Sequence, residues 1–330
     1  MIPISVLDLC PIIEGGDAGQ ALRNSRNLAQ HAENLGYQRF WLAEHHNIPS
    51  VASAATSVVI GYVADGTSTI RVGAGGIMLP NHAPLLIAEQ FGTLEALYPG
   101  RIDLGLGRAP GGDMASIRAL RRPMREQGED RFPHDVMELQ YYFGPAQEGK
   151  LQATPGVGAN VPIWILGSSL YGAQLAAHLG LPYAFASHFA PAELENAIRI
   201  YRETYQPSDR WPEPHLMLAA NVVAAETDEE AELLASSLQQ AFINLRTGRS
   251  HMRLQPPVKG YLHRLDPAAR GMLRDVLSCS FIGGPEKVAQ EMKAFIARHQ
   301  PDEMIFAGQI YDHEARKKSF EIAADCVSRL

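Results

Sequence analysis

The stretch that most constrains the fold spans residues 73–112, GAGGIMLPNHAPLLIAEQFGTLEALYPGRIDLGLGRAPGG. Its pattern predicts a buried strand ending in a glycine run, an amphipathic helix, and a second strand ending at Gly105-Leu106-Gly107-Arg108. A strand, a helix and a strand in this order form one βαβ unit with parallel strands. Both strands stop at glycines, where backbone can approach a flat or phosphorylated ligand without a Cβ in the way.

The same alternation of apolar runs and helical patterns continues through the chain. Eight runs predict short strands that are covered on both faces. They lie at residues 4–9, 40–43, 71–79, 101–106, 162–166, 183–186, 215–225 and 304–307. A (β/α)8 TIM barrel forming a single domain over residues 1–330 explains their number and the chain length.

Two polar stretches interrupt this alternation. Residues 109–161 follow strand four, and residues 247–278 fall between strands seven and eight. We interpret both as insertions, and the first as a possible lid over a site. An open doubly wound sheet is the alternative fold, but its glycine fingerprint is incomplete, because Pro110 stands where the third glycine belongs.

Charge and cysteine content exclude several classes of protein. The net charge is −7 and no Lys/Arg run stands out, which argues against a nucleic-acid binder. The three cysteines are far apart and odd in number, which fits a reduced cytoplasmic protein better than a disulfide framework or a zinc site. Neither a basic leader nor an apolar run of membrane-spanning length is present, so the sequence predicts neither export nor a membrane partner.

In a barrel the carboxyl ends of the strands share one mouth, where chemistry is placed. Ser168 and Ser169 follow strand five at the start of a helix, and Arg108 follows strand four. Hydroxyls, free amides and a guanidinium at a helix N-terminus predict a phosphate site. The alternative is that one of the two serines merely caps the helix.

Strand two runs into Glu44-His45-His46, which invites a metal-site hypothesis. Neighbouring strand residues point to opposite sides, so the two histidines do not both ligate one ion without a bend, and we predict no metal. One histidine here is better placed as an acid, a base or a hydrogen-bond donor to a ligand. The alternatives are a structural histidine paired with Glu44 and, for Gly75 and Gly76, a bulge at a barrel corner.

Three segments together resemble the bacterial-luciferase-like flavin-dependent monooxygenases, and most closely their non-luminescent bacterial branch. They are WLAEHH at 41–46, the stretch at 73–111, and VPIWILGSSLYGAQLAAHLGLPYAFASHF at 161–189. The resemblance implies a (β/α)8 barrel and a homodimer formed through the helices at 53–64 and 84–97. It also implies reduced FMN, bound tightly or supplied by a separate NAD(P)H-dependent flavin reductase.

The resemblance also assigns the site residues. The FMN phosphate matches Arg108, Ser168, Ser169 and the amide of Gly172. A non-prolyl cis peptide under the flavin ring matches Gly75–Gly76, and the catalytic histidine matches His45. The implied reaction uses O2 and a C4a-peroxyflavin to oxidise an aldehyde or another small organic substrate, with His45 as base or proton donor.

The resemblance further implies a water-excluding lid from residues 247–278. One departure concerns light emission: luciferases carry a Cys before the strand-four arginine, where this chain has Gly107. We therefore predict neither useful bioluminescence nor a dedicated partner subunit. Two other functions stay open, namely hydride transfer with the deazaflavin F420 and flavin binding without turnover.

Overall fold

The computed structural model describes residues 2–109, 111–120, 130–249 and 252–330. Within these ranges the strands are β1 (Ile4–Asp8), β2 (Arg39–Leu42), β3 (Arg71–Met78), β4 (Ile102–Gly107), β5 (Ile163–Gly167), β6 (Tyr183–Phe185), β7 (Leu216–Ala224), β8 (Ser280–Gly283) and β9 (Glu303–Ala307). The helices are α1 (Ala18–Asn34), α2 (Thr56–Asp65), α3 (Pro84–Leu97), α4 (Met114–Leu120), α5 (Phe132–Phe143), α6 (Leu170–Leu179), α7 (Leu194–Thr204), α8 (Asp228–Arg246), α9 (Tyr261–Arg264), α10 (Pro267–Val276), α11 (Pro285–His299) and α12 (His313–Ser328).

The sheet closes on itself. Strands β1 to β7 pair in chain order, β7 pairs with β9, and β9 pairs back with β1, all in parallel. This confirms the (β/α)8 barrel, with β9 as its eighth strand. The doubly wound alternative is wrong, because an open sheet has two edge strands, whereas each of the eight strands in this ring pairs on both sides; Pro110, the residue that weakened it, lies outside the described ranges.

Local signals in the sequence explain where several helices begin and end. Asp17 accepts a hydrogen bond from the Gln20 amide at the start of α1, and Thr227 accepts one from the Glu230 amide at the start of α8. Gly180 ends α6 in the left-handed conformation that glycine adopts without steric cost. Helix α3 begins and ends at the residues that the sequence predicted, 84–97.

Both insertions are present, and both contain more regular structure than the sequence indicated. After β4 the described part of residues 109–161 contains α4 and α5; residues 110 and 121–129 lie outside the described ranges. Between β7 and β9, the stretch interpreted as irregular contains α9 and α10, and β8 follows it. Strand β8 was missed: its four residues directly follow the stretch interpreted as irregular, and they pair with residues 221–224 of β7 outside the closed ring.

The barrel interior is apolar in its middle and charged at its amino-terminal end. Trp41 and Trp164 meet edge to face at 5.2 Å between ring centroids in the apolar part. Below them Arg39 donates to Asp103 at 2.8 Å and to Glu303 at 3.0 Å. Because these buried charges satisfy one another, we assign them to the stability of the amino-terminal end of the barrel. The site for chemistry is expected at the opposite, carboxyl-terminal end of the strands.

The remaining core lies between the barrel and its helices, with a smaller apolar cluster where α8 and α10 pack together beside β7. No helix among the described residues is long and apolar enough to cross a membrane.

Candidate active site at the barrel mouth

The parallel strands bring the predicted residues to one end of the barrel. Strand β2 leads into Glu44, His45 and His46, β4 leads into Arg108, and β5 leads into Ser168. This gathering follows from the closed parallel sheet, because all strand carboxyl ends then face the same way.

Arg108 lies at the N-terminus of α6. Its guanidinium carbon is 4.1 Å from the ring centroid of Tyr171, in the first turn of that helix. Among the described residues its charge is only loosely paired, because Asp130 lies 3.7 Å away and both side chains are about half exposed, at 50% and 45%. Arg108 is therefore able to turn toward a dianionic phosphate.

Ser169 is the residue before α6, and its side chain caps no helix amide. The alternative that Ser169 serves only as a cap is thus not what the structure shows, and its hydroxyl is available to a ligand. Gly172 faces Tyr183, where a Cβ would come within 3.2 Å of the ring. The first turn of α6, with Ser168 before it, offers free amides and a positive helix end, which fit a phosphate group.

Gly75 and Gly76 form an irregular step in β3. Their peptide bond is cis, as the resemblance implied. The register between β3 and β4 shifts between Ala74 and Ile77, so the bulge considered from sequence is also present. A Cβ on Gly75 would lie 2.8 Å from Leu7, and one on Gly76 would lie 2.7 Å from the Gly105 carbonyl oxygen. The step therefore admits only glycine and leaves bare backbone at the mouth, which fits a flat ring.

His45 is half-buried beside a second histidine, His188, which follows β6. Burial lowers the pKa of His45; the Gly111 carbonyl and Glu44 oppose this shift, and His46 adds to it. Burial, with the charge of His45 as a second cause, lowers the pKa of His188 to about 4. Both imidazoles are therefore neutral near pH 7, and a neutral His45 is able to accept a proton.

Glu44 does not pair with His45 but with His46 and a residue that the sequence reasoning missed. Its carboxylate accepts from His46 Nε2 at 2.6 Å and from His82 Nε2 at 2.8 Å. Burial on its own would raise the pKa of Glu44, but the hydrogen bonds from His82, His46 and the Met78 amide hold it below its ordinary value. The only sequence signal for His82 is its place in the loop between β3 and α3.

Two groups of side chains in the described ranges are close enough to hold a metal ion. One is Glu44, His46 and His82, and the other is His134, Asp135 and Glu138. Neither group contains both His45 and His46, the two histidines that the sequence argued against as ligands of one ion. In the first group the carboxylate already accepts several hydrogen bonds, so its geometry is that of a hydrogen-bonded cluster.

The second insertion and α8, the helix that leads into it, contact the segments around the mouth from two sides. The Leu254 amide and carbonyl bond to Ile12 and Glu14, which follow β1, at 3.1 and 2.8 Å. On the other side Phe242 of α8 packs against Phe189, which follows β6, with ring centroids 6.2 Å apart. This position is the one that a lid drawn from residues 247–278 requires; residues 250 and 251 lie outside the described ranges.

Comparison with known proteins extends over nearly the whole chain. The family described as luciferase-like monooxygenase matches residues 3–299. A luciferase-like monooxygenase of Escherichia coli (strain K12) is 49% identical, and the alignment covers 100% of this chain and 98% of that protein. The crystal structure of apo-MsnO8 has a TM-score of 0.87 at 30% identity, with 99% of each chain covered. An F420-dependent secondary alcohol dehydrogenase, at 16% identity and a TM-score of 0.70 over 99% of each chain, shares the fold alone.

Proposed function

The chain belongs to the luciferase-like monooxygenase family, and we propose that it uses reduced FMN and O2 to oxidise a small organic substrate of the aldehyde type. The observation that carries the proposal is the meeting of Arg108 with the N-terminus of α6, beside the bare backbone of Gly75 and Gly76. An anion site next to a flat, side-chain-free surface suits a phosphorylated ring system.

When bound, the reduced flavin supplies two electrons to O2, so that one oxygen atom converts an aldehyde to a carboxylic acid and the other leaves as water. Arg108, Ser168, Ser169 and the Gly172 amide hold the phosphate. Gly75–Gly76 supports the ring. His45 accepts or donates the proton at its imidazole, and a separate NAD(P)H-dependent reductase returns FMN to its reduced form.

The insertion between β7 and β9 excludes water from this site. Leu254 is buried against the segment that follows β1. From there the insertion continues through α10 to β8. Excluding water protects a reactive flavin from unproductive loss of its reducing equivalents.

Replacing Arg108 by alanine tests the phosphate site. We expect the dissociation constant of FMN to rise by about 10- to 100-fold, because a charge-assisted hydrogen bond to the phosphate is lost. Riboflavin has no phosphate, so its affinity should change little. Fluorescence titration with both flavins measures the difference, with Arg199→Ala on the exposed face of α7 as a control. Equal losses for FMN and riboflavin would remove Arg108 from the phosphate site.

We further propose a homodimer formed through α2 and α3. Their outer faces expose large apolar side chains, with Val58 at 71%, Leu86 at 55% and Leu97 at 64%. Such a patch is typical of an interface between subunits. Sedimentation equilibrium should give twice the chain mass of 36.1 kDa, and Leu97→Glu should shift the protein toward the monomer. A wild-type protein that sediments as a monomer at micromolar concentration would contradict the proposal.

A further inference from the structure

Three hydrogen-bond donors converge on the buried carboxylate of Glu44, which is 1% exposed. His46 Nε2 and His82 Nε2 donate to Oε1 at 2.6 and 2.8 Å. The Met78 amide donates to Oε2 at 2.9 Å. Burial opposes ionisation of Glu44, but these hydrogen bonds hold its pKa below the ordinary value, so the carboxylate is ionised near neutral pH and accepts on both oxygens.

These bonds fasten the glycine step of β3 to the end of β2. The Glu44 amide donates to the Gly76 carbonyl at 3.3 Å, and its side chain holds Met78, two residues further on. The residue between Glu44 and His46 is His45, and the His46 amide donates to the Gly111 carbonyl at 2.8 Å. The backbone on each side of His45 is thus fixed, and the glycine step is fixed relative to it.

The charge of Glu44 also acts on His45. The charged and polar groups that influence the pKa of His45 are Glu44 and the Gly111 carbonyl, which raise it, and His46, which lowers it. Among the described residues, His188 is a further titratable group close enough to interact, since the charge of His45 contributes to the lowered pKa of His188 after burial. Since burial lowers the pKa of His45, the negative charge of Glu44 offsets part of that effect.

We propose that Glu44 is a positioning residue of this site, whose carboxylate holds the Gly75–Gly76 step at a fixed place relative to His45 and places a negative charge next to His45. The part that concerns the glycine step as a flavin support rests on the proposed function. The part that concerns His45 does not depend on any ligand.

The decisive substitution is Glu44→Gln, which keeps the shape but removes the charge and places an NH2 group against donors. We expect the pKa of His45, followed by NMR of its labelled imidazole, to fall below the wild-type value. We expect riboflavin affinity to fall by about tenfold, because the supporting backbone loses its anchor. Riboflavin is the probe because it reports on the ring site without the phosphate.

Two further variants separate charge from packing. His82→Gln breaks one bond of the cluster and leaves the Glu44 charge in place, so the pKa of His45 should not fall. Glu33→Gln is the matched control, since Glu33 accepts three backbone amides of residues 68–70 away from the mouth. It should cost stability and leave both the pKa of His45 and riboflavin affinity unchanged.

Several outcomes would overturn the proposal. An unchanged pKa of His45 in Glu44→Gln would do so, and so would an equal fall in His82→Gln. If Glu44→Gln does not fold, Glu44→Asp replaces it: its shorter side chain keeps the charge, so riboflavin affinity should fall while the pKa of His45 does not. Unchanged riboflavin affinity in Glu44→Asp would then contradict the anchoring role.

Two measurements on the wild-type protein complete the test. Calorimetric titration with Zn²⁺ should show no micromolar binding, and stoichiometric binding that Glu44→Gln abolishes would replace the hydrogen-bonded cluster by a metal site. Failure of wild-type protein to bind either FMN or riboflavin would contradict the proposed function instead, and the pKa of His45 in the variants would still decide the role of Glu44.

Discussion

Replacing His45 by alanine should lower the rate of aldehyde oxidation by about 10²- to 10⁴-fold, the range expected when a general acid or base is removed. The affinity for FMN should stay nearly unchanged, because the phosphate contacts that we propose are at Arg108 after β4 and at the first turn of α6 after β5, away from β2. Carboxylic acid formation from a medium-chain aldehyde, with NADH and a flavin reductase present, measures the rate. Flavin fluorescence measures the affinity.

The control for His45 is His178→Ala, on an exposed position of the last turn of α6. It should leave both rate and affinity at the wild-type values. A His45→Ala protein with undiminished turnover would take His45 out of the chemistry. A large loss of FMN affinity would instead make His45 a binding residue.

Replacing Arg316 by methionine should lower the free energy of unfolding at pH 7 by about 3–5 kcal/mol, the cost of leaving a buried charge without its partner. Asp8, at the end of β1, is fully buried, and Arg316 of α12 donates to it at 2.6 Å. Arg316 also donates to the Gly308 carbonyl at 2.7 Å, so the variant loses two contacts between α12 and the barrel. Urea denaturation measures the change.

The pH dependence of this variant has a definite sign. Burial raises the pKa of Asp8, but the charge and hydrogen bond of Arg316 outweigh it and hold the net pKa below 3.8. The ion pair therefore stabilises the fold above pH 3.8, and its contribution is lost as the pH falls through the lowered pKa. The difference between wild type and Arg316→Met should accordingly shrink in acid.

The control is Arg199→Met in the exposed pair with Glu203, which should cost less than about 1 kcal/mol. Equal and small losses for the two arginine variants would show that Asp8 and Arg316 do not form a stabilising pair in solution.

Much of the fold followed from the sequence because the signals are local. Apolar runs located the eight barrel strands, and residues such as Thr227 and Gly180 are local signals for the ends of helices. The cis bond at Gly75–Gly76 came from the family resemblance, and no periodicity in the chain indicates it.

What escaped the sequence is contact between residues that are far apart in the chain. Glu44 and His82 are 38 positions apart, and Arg39 and Glu303 are 264 apart. Nothing in either local pattern requires such a pair, since only the order and register of the strands in the closed sheet bring these residues together. The Glu44-His45-His46 motif therefore suggested that a neighbouring histidine pairs with Glu44, but it did not indicate the contribution of His82.

The role of the barrel mouth is tested most directly by mixing the protein anaerobically with photoreduced FMN and then adding O2 in a stopped-flow spectrometer. We predict a flavin spectrum that differs from both the reduced and the oxidised forms and that outlives its counterpart in free solution. Reoxidation at the rate of free FMN, without such a species, would contradict a monooxygenase and favour F420-dependent hydride transfer or flavin binding without turnover.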